Sequence, residues 1–201
     1  MKVIGLTGGI GMGKSTAATA LRRMGLPVFD ADACVHRLQA PGGAALPAIA
    51  RAFPGTVAAQ DGRRVLDRAA LRAAVLADPG ALRRLEAILH PLVRRAERAF
   101  LARARRARVR AAVLDIPLLF ETGGTGRVDL VVVVSAPADV QRHRVRRRGH
   151  MSARQLAAVL ARQMPDMEKR RRADIVVRTG LSRHHAWRAL RRLIRSKLVA
   201  R

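Results

Sequence analysis

Eight residues near the start of the chain carry the strongest chemical signal: Gly8-Gly9-Ile10-Gly11-Met12-Gly13-Lys14-Ser15. They satisfy G-x-x-x-x-G-K-[ST] at every fixed position. Glycines let a backbone turn several N–H groups inward, which makes a nest for phosphate oxygens. A helix opening at Lys14 adds its dipole to the same spot. In such a loop Lys14 reaches the β- and γ-phosphates of a nucleotide, the Ser15 hydroxyl holds Mg²⁺, and Thr16 contacts the α-phosphate. Gly9 and Gly11 also open a dinucleotide-type fingerprint, but its third glycine would have to stand where Lys14 stands, so that reading is set aside.

Carboxylates that close apolar runs come next. Asp30-Ala31-Asp32 follows Val28-Phe29, and open α/β sheets bind ligands beyond the carboxyl ends of their strands. A carboxylate there can accept or orient the proton of an attacking hydroxyl. It can equally cap the following helix. We expect Asp30 in the structural role and Asp32 in the catalytic one. Asp115 closes Val113-Leu114, the usual place for a second Mg²⁺-holding carboxylate. Glu121, after Pro117-Leu118-Leu119-Phe120, is either a substrate-side acid or a loop charge.

Cations gather further on. Arg142, Arg144, Arg146, Arg147 and Arg148 crowd one predicted helix and the loop after it. A guanidinium grips phosphate in bidentate fashion and stays charged at any working pH. Arg144 and Arg148 stand four apart, on one helical face. These two are expected at the phosphates, Arg144 first, and the others on a solvated face.

These groups need a frame. Short apolar runs alternate with amphipathic helices, which indicates an α/β chain. Strands are expected at 2–6, 28–29, 111–115, 129–134 and 175–177, parallel and largely buried. Helices are expected at 14–24, at 137–148, from a cap at Ser152, and from a cap at Ser182, the last with Trp187, Leu190, Leu193 and Ile194 on one face. Residues 33–108 read almost wholly as helix, broken by Pro41-Gly42-Gly43, Pro54-Gly55, Asp61-Gly62 and Asp78-Pro79-Gly80. That stretch is expected to be a lobe inserted into one domain.

The chain has 201 residues, 49% of them hydrophobic, enough for a sizeable core. No apolar run reaches the roughly 20 residues of a membrane span, and the opening residues lack the layout of a secretion signal. The lone cysteine, Cys34, cannot form an internal disulfide, so the cytoplasm is the expected compartment. The formal charge of +26 rises from +3 over the first fifty residues to +11 over the last fifty-one. Such a field favours polyanions. Yet aromatics make up 2% of the chain and tyrosine is absent, which leaves few stacking platforms for nucleic acid. Only weak, charge-driven nucleic-acid binding is expected, with no membrane partner. A monomer or a loose homo-oligomer is expected.

Taken in order, the motifs resemble the dephospho-coenzyme A kinase family of P-loop kinases. The resemblance rests on Leu6-Thr7 with the glycine-rich loop through Thr16, on Phe29-Asp30-Ala31-Asp32, and on Leu66-Asp67-Arg68. It continues through Leu85-Glu86-Ala87-Ile88-Leu89-His90-Pro91, Asp115-Ile116-Pro117-Leu118-Leu119-Phe120-Glu121, the set Gln141, Arg144, Arg148 and Gln163, and Ala173-Asp174-Ile175-Val176-Val177. It implies a P-loop NTPase-type three-layer fold: a five-stranded parallel sheet flanked by helices, built from residues 1–32, 109–141 and 173–201. It further implies a helical substrate lobe at 33–108 and a lid at 142–172. ATP would lie on Gly11, Met12, Gly13, Lys14, Ser15 and Thr16, with Arg148 nearby and Mg²⁺ on Ser15. Asp32 would act as base toward the ribose 3′-hydroxyl of dephospho-coenzyme A, completing coenzyme A. Lys14 and Arg144 would stabilise the transferred phosphoryl group. His90, Pro117, Leu118 and Glu121 would line the acceptor site. Two features depart from the family: Arg178-Thr179-Gly180 stands where an Asn before a small residue and Gly is usual, and the family does not require an acid at Asp115. A different P-loop kinase, a nucleic-acid-binding protein and a non-catalytic ATP switch are the competing readings.

Overall fold

A computed structural model describes residues 1–147 and 153–196. The chain divides into two compact units, Met1–Phe29 with Ala102–Arg201, and Asp30–Leu101.

The first unit is built on a five-stranded sheet. β1 (Lys2–Thr7) leads through the glycine-rich turn into α1 (Lys14–Arg23), and β2 (Val28–Asp30) follows. The chain then enters the second unit through α2 (Ala31–Leu38) and α3 (Leu46–Ala52). The hairpin β3 (Val57–Gln60) and β4 (Arg63–Leu66), α4 (Arg68–Ala77) and the long α5 (Ala81–Arg106) come next. β5 (Ala111–Asp115), a 3₁₀ turn (Gly124–Arg127), β6 (Leu130–Ser135), α6 (Ala138–Arg147), α7 (Ala153–Arg162), α8 (Asp166–Arg171), β7 (Ile175–Arg178) and α9 (Arg183–Ile194) complete the described chain. The strand order is β2-β5-β1-β6-β7. The pairings of β1 with β5 and β6, and of β6 with β7, are parallel.

Both faces of the sheet are covered, which is why its strands read as unbroken apolar runs rather than alternations. Val3, Ile4, Leu6 and Val131 to Val134 are all buried. One face carries Ile4, Leu6, Val113, Val132 and Val134 against Ala17 and Leu21 of α1 and Leu190 and Leu193 of α9. On the other face Gly5 leaves room for Leu119, whose Cδ2 would lie 2.7 Å from an added Cβ. Aspartates fasten the amino ends of the strands: Asp129 accepts from Val3 N at 2.6 Å and Asp174 from Val131 N at 2.7 Å. Ser182 caps α9, as its residue type predicts, by accepting from His185 N.

The register sets the working edge. Leu6 pairs with Asp115, Thr7 with Val133, and Ser135 with Arg178. Asp115, Ser135 and the phosphate loop that leaves Thr7 therefore come to the same, carboxyl, end of the sheet.

The second unit has its own core of Leu46, Ile49, Phe53, Leu66, Leu71 and Leu89. It differs from the almost wholly helical expectation for 33–108 by the antiparallel hairpin, which turns at Asp61-Gly62. Both turn residues have positive φ, 49° and 71°, the type I′ geometry that matches strand twist. α5 stays helical through Pro91, although that residue has no N–H to give to the carbonyl one turn back. No helix among the described residues is long and apolar enough to cross a membrane.

Candidate active site

The glycine-rich loop has the backbone its sequence demands. Gly11 and Gly13 sit at φ of 75° and 90°, where a side chain is strained. A Cβ on Gly11 would also fall 2.9 Å from the carbonyl oxygen of Gln141. Gly13 is the left-handed cap of α1, so Lys14, Ser15 and Thr16 form the helix's first turn with their N–H groups toward the loop. Met12 contributes backbone only. Its thioether is buried and accepts from Ala136 N at 3.1 Å.

Lys14 points at the sheet edge. Its Nζ donates to Asp115 Oδ1 at 2.6 Å, and the Asp115 side chain is 3% exposed. Asp115, at a strand end where a Mg²⁺-holding carboxylate is usual, thus faces the phosphate-loop lysine directly, a relationship the sequence reading did not foresee.

Arg144 is bound to the loop as well. Nη1 donates to Gly11 O at 3.4 Å and to Thr179 Oγ1 at 3.1 Å, while Nη2 donates to Thr179 O at 2.7 Å. Thr179 is a hub that sequence reasoning missed. Its hydroxyl donates to Met12 O at 2.6 Å, and its N–H donates to Ser135 O. The departure at 178–180 therefore keeps a clasp on the phosphate loop at Thr179, while Arg178 stays exposed. Two glutamines grip Ile10: Gln141 of α6, whose Nε2 donates to Ile10 O at 2.8 Å, and Gln163 just after α7, whose Oε1 accepts from Ile10 N at 3.2 Å.

Beside these groups lies a cleft of about 770 Å³, lined among others by Ser15, Thr16, Arg23, His143, Arg144 and Trp187. Arg147 borders it too. Arg142 and Arg146 are exposed, as a solvated face requires. Arg148 and Ser152 lie outside the described residues.

The 117–121 loop follows β5. Pro117 O accepts from Thr7 Oγ1 at 2.9 Å, which ties the loop to the end of β1. Leu118 is 37% exposed. Glu121 is not an isolated acid. It pairs with Lys169 at 2.8 Å and accepts from Met164 N at 2.8 Å. Burial alone would raise the Glu121 pKa. The Lys169 hydrogen bond and charge, with backbone N–H groups, outweigh this and hold it below the ordinary glutamate value. Lys169 itself is fully buried and was absent from the sequence-derived candidates.

Asp30, Asp32 and His90 belong to the second unit. Asp30 caps α2, accepting from Ala33 N at 2.9 Å, which is the structural role expected of it. Asp32 stands in the first turn of α2. His90 is exposed in the middle of α5, so it is neither a helix cap nor a core residue.

The residues present suit Mg²⁺. It is a hard cation that binds through one or two protein oxygens and otherwise keeps water and phosphate oxygens. Ser15 offers an exposed hydroxyl at the helix start.

Comparison with known proteins agrees with this geometry. The dephospho-CoA kinase family model matches residues 2–183. The dephospho-CoA kinase of Paramagnetospirillum magneticum is 64% identical over 170 residues, covering 85% of this chain and 78% of that protein. That of Gluconobacter oxydans is 54% identical over 198 residues, covering 96% of each chain. Among solved structures, TT1252 from Thermus thermophilus superposes with a TM-score of 0.85 at 37% identity, covering 99% of this chain and 98% of that one. Shikimate kinase from Acinetobacter baumannii, at a TM-score of 0.52 and 16% identity over 97% and 92% of the two chains, shares the fold alone. A lysine-bearing phosphate loop at the carboxyl edge of a parallel sheet and sequence identity spread over nearly the whole length lead to one assignment: the chain belongs to the dephospho-CoA kinase family.

Proposed function

We propose that this protein transfers the γ-phosphoryl group of ATP to the ribose 3′-hydroxyl of dephospho-coenzyme A, giving ADP and coenzyme A. The observation that carries this reading is the Arg144 guanidinium held against Gly11 of the phosphate loop and against Thr179. It places a fixed cation beside the loop that receives the triphosphate. The adenosine end of ATP is assigned to the cleft beside Ser15, Thr16 and Trp187.

The acceptor oxygen attacks the γ-phosphorus as the bond to the β,γ-bridging oxygen breaks, and ADP leaves with that electron pair. The Asp32 carboxylate takes the hydroxyl proton. Lys14 and Arg144 meet the negative charge on the transferred oxygens, where fixed cations act most strongly because they need no reorganisation. Arg144 has five N–H donors, so its contacts to Gly11 and Thr179 hold the guanidinium while further N–H groups reach phosphate. Mg²⁺ would be held in part by Ser15 and would supply neutralisation of phosphate charge. His90 and the 117–121 loop, Pro117 and Leu118 foremost, are assigned to acceptor binding, with Glu121 supporting that loop. Buried Cys34, whose thiol pKa is raised by desolvation, is an inert structural thiol suited to the cytoplasm.

The test is a coupled ADP-release assay with Mg-ATP, offering dephospho-coenzyme A, AMP, adenosine, shikimate or water. ADP release with dephospho-coenzyme A alone, and a product carrying one new 3′-phosphate by mass, is the expected result. Release with another acceptor keeps the kinase and discards the substrate. Release with none discards both.

A further inference from the structure

Lys169 is an anomaly of the first unit: a lysine with no exposed surface, in a chain whose other charges mostly face water. A buried ammonium is costly unless it is paired and hydrogen-bonded. Here it is both, and both partners lie on one loop. Nζ is 2.8 Å from Glu121 Oε1 and donates to Pro117 O at 3.4 Å. Those two residues bracket Leu118, Leu119 and Phe120. The same Pro117 oxygen also takes the Thr7 hydroxyl, so the loop's first residue is held from β1 and from α8 at once.

The segment that carries Lys169 has a second attachment. Gln163, just after α7, accepts from Ile10 N in the phosphate loop. Met164 N donates to Glu121. Asp166 Oδ2 accepts from Ser135 Oγ at the end of β6. Residues 163–169 thus form a bracket with one arm on the ATP loop, through Gln163, and one on the 117–121 loop, through Met164 and Lys169.

We propose that Lys169 is a positioning residue for the acceptor, and that the 163–169 bracket sets the acceptor loop and the phosphate loop in one frame. Lys169 has no surface with which to touch substrate and acts by fixing the carbonyl of Pro117 and the carboxylate of Glu121, between which Leu118 projects. The inference rests on the reading above that the 117–121 loop lines the acceptor site.

The bracket predicts a crossed kinetic pattern. Lys169→Met raises the KM for dephospho-coenzyme A by roughly ten- to hundredfold, the scale on which small misplacements act, and leaves the KM for ATP within about twofold. Gln163→Ala does the reverse, raising the KM for ATP and sparing that of the acceptor. Lys169→Arg, which keeps the charge and the hydrogen bonds, recovers part of the acceptor KM. Glu121→Gln reproduces the Lys169→Met shift in milder form, and it serves as the decisive variant if Lys169→Met does not fold. Wild-type turnover with dephospho-coenzyme A tests the substrate assignment by itself. Leu118→Ala, on a projecting side chain, tests whether the loop meets the acceptor. Raised acceptor KM in Leu118→Ala and in both the Lys169 and Glu121 variants supports the proposal. Equal rises in both KM values, an unchanged acceptor KM in folded Lys169→Met and Glu121→Gln, or an unchanged acceptor KM in Leu118→Ala overturns it.

Discussion

The ammonium of Lys14 lies 2.6 Å from the carboxylate of Asp115, so the lysine of the phosphate loop is paired with the sheet edge beneath it. The pair links the loop after β1 to the end of β5, and the carboxylate side is nearly sealed from water. Removing one member of such a pair costs about 3 kcal/mol. We expect Asp115→Asn to lose about that much stability to urea without nucleotide. Saturating Mg-ATP should narrow the loss, because phosphate oxygens give Lys14 an alternative partner. An identical loss with and without nucleotide would mean that Lys14 does not exchange Asp115 for phosphate.

Asp32 and Arg144 are expected to govern turnover rather than folding. A positioned base is worth on the order of 10²–10⁴-fold and a phosphoryl-facing arginine roughly 10³–10⁵-fold. Asp32→Asn and Arg144→Ala should each reduce kcat by about a hundredfold or more with unchanged far-ultraviolet circular dichroism. Arg144→Lys should not restore it. The contacts to Gly11 and Thr179 use both ends of a planar fork, which a single ammonium does not copy. Near-normal kcat in either variant removes that residue from its role.

Gly62 offers a clean measure of backbone strain. Its φ is +71° and an added Cβ would meet nothing within 4 Å. Gly62→Ala should therefore cost about 1 kcal/mol from conformation alone, read as a shift in urea midpoint at constant slope. A cost near zero would show that the hairpin turn relaxes to another form.

What could be read from the chain and what could not divide by sequence distance. The phosphate loop, the Asp30 and Ser182 caps and the apolar strands of the sheet are local signals, since each depends on neighbouring residues alone. The hairpin had its signal too, in Asp61-Gly62. Its strands are mostly exposed, so the alternation that marks a half-buried strand was missing from Val57–Gln60 and Arg63–Leu66. Lys169 stands in Glu168-Lys169-Arg170-Arg171-Arg172, a run that looks like a solvated face. Only the fold brings Glu121 and the Pro117 carbonyl to it. Thr179 clasps Met12 across 167 positions of sequence, and no periodicity foretells such a contact.

Acid should expose the Glu121–Lys169 pair. The Glu121 pKa lies below its ordinary value of 4.5 in the folded protein, because the hydrogen bond and charge of Lys169 and the N–H of Met164 outweigh burial. A lowered carboxylate pKa stabilises the fold at pH values above the unfolded value. That contribution fades as the pH falls through the folded one, where the group takes up its proton. Below that point a neutral Glu121 faces the buried ammonium, and little of the charge-assisted attraction is left. The stability difference between the wild type and Glu121→Gln should thus be largest near neutrality and close as the pH falls below 4.5. Urea unfolding at a series of pH values reads it directly. Because Gln keeps an oxygen for Met164 N, the comparison isolates the charge from the hydrogen bond. A gap of constant size down to roughly pH 3 would mean that the pair contributes shape rather than charge.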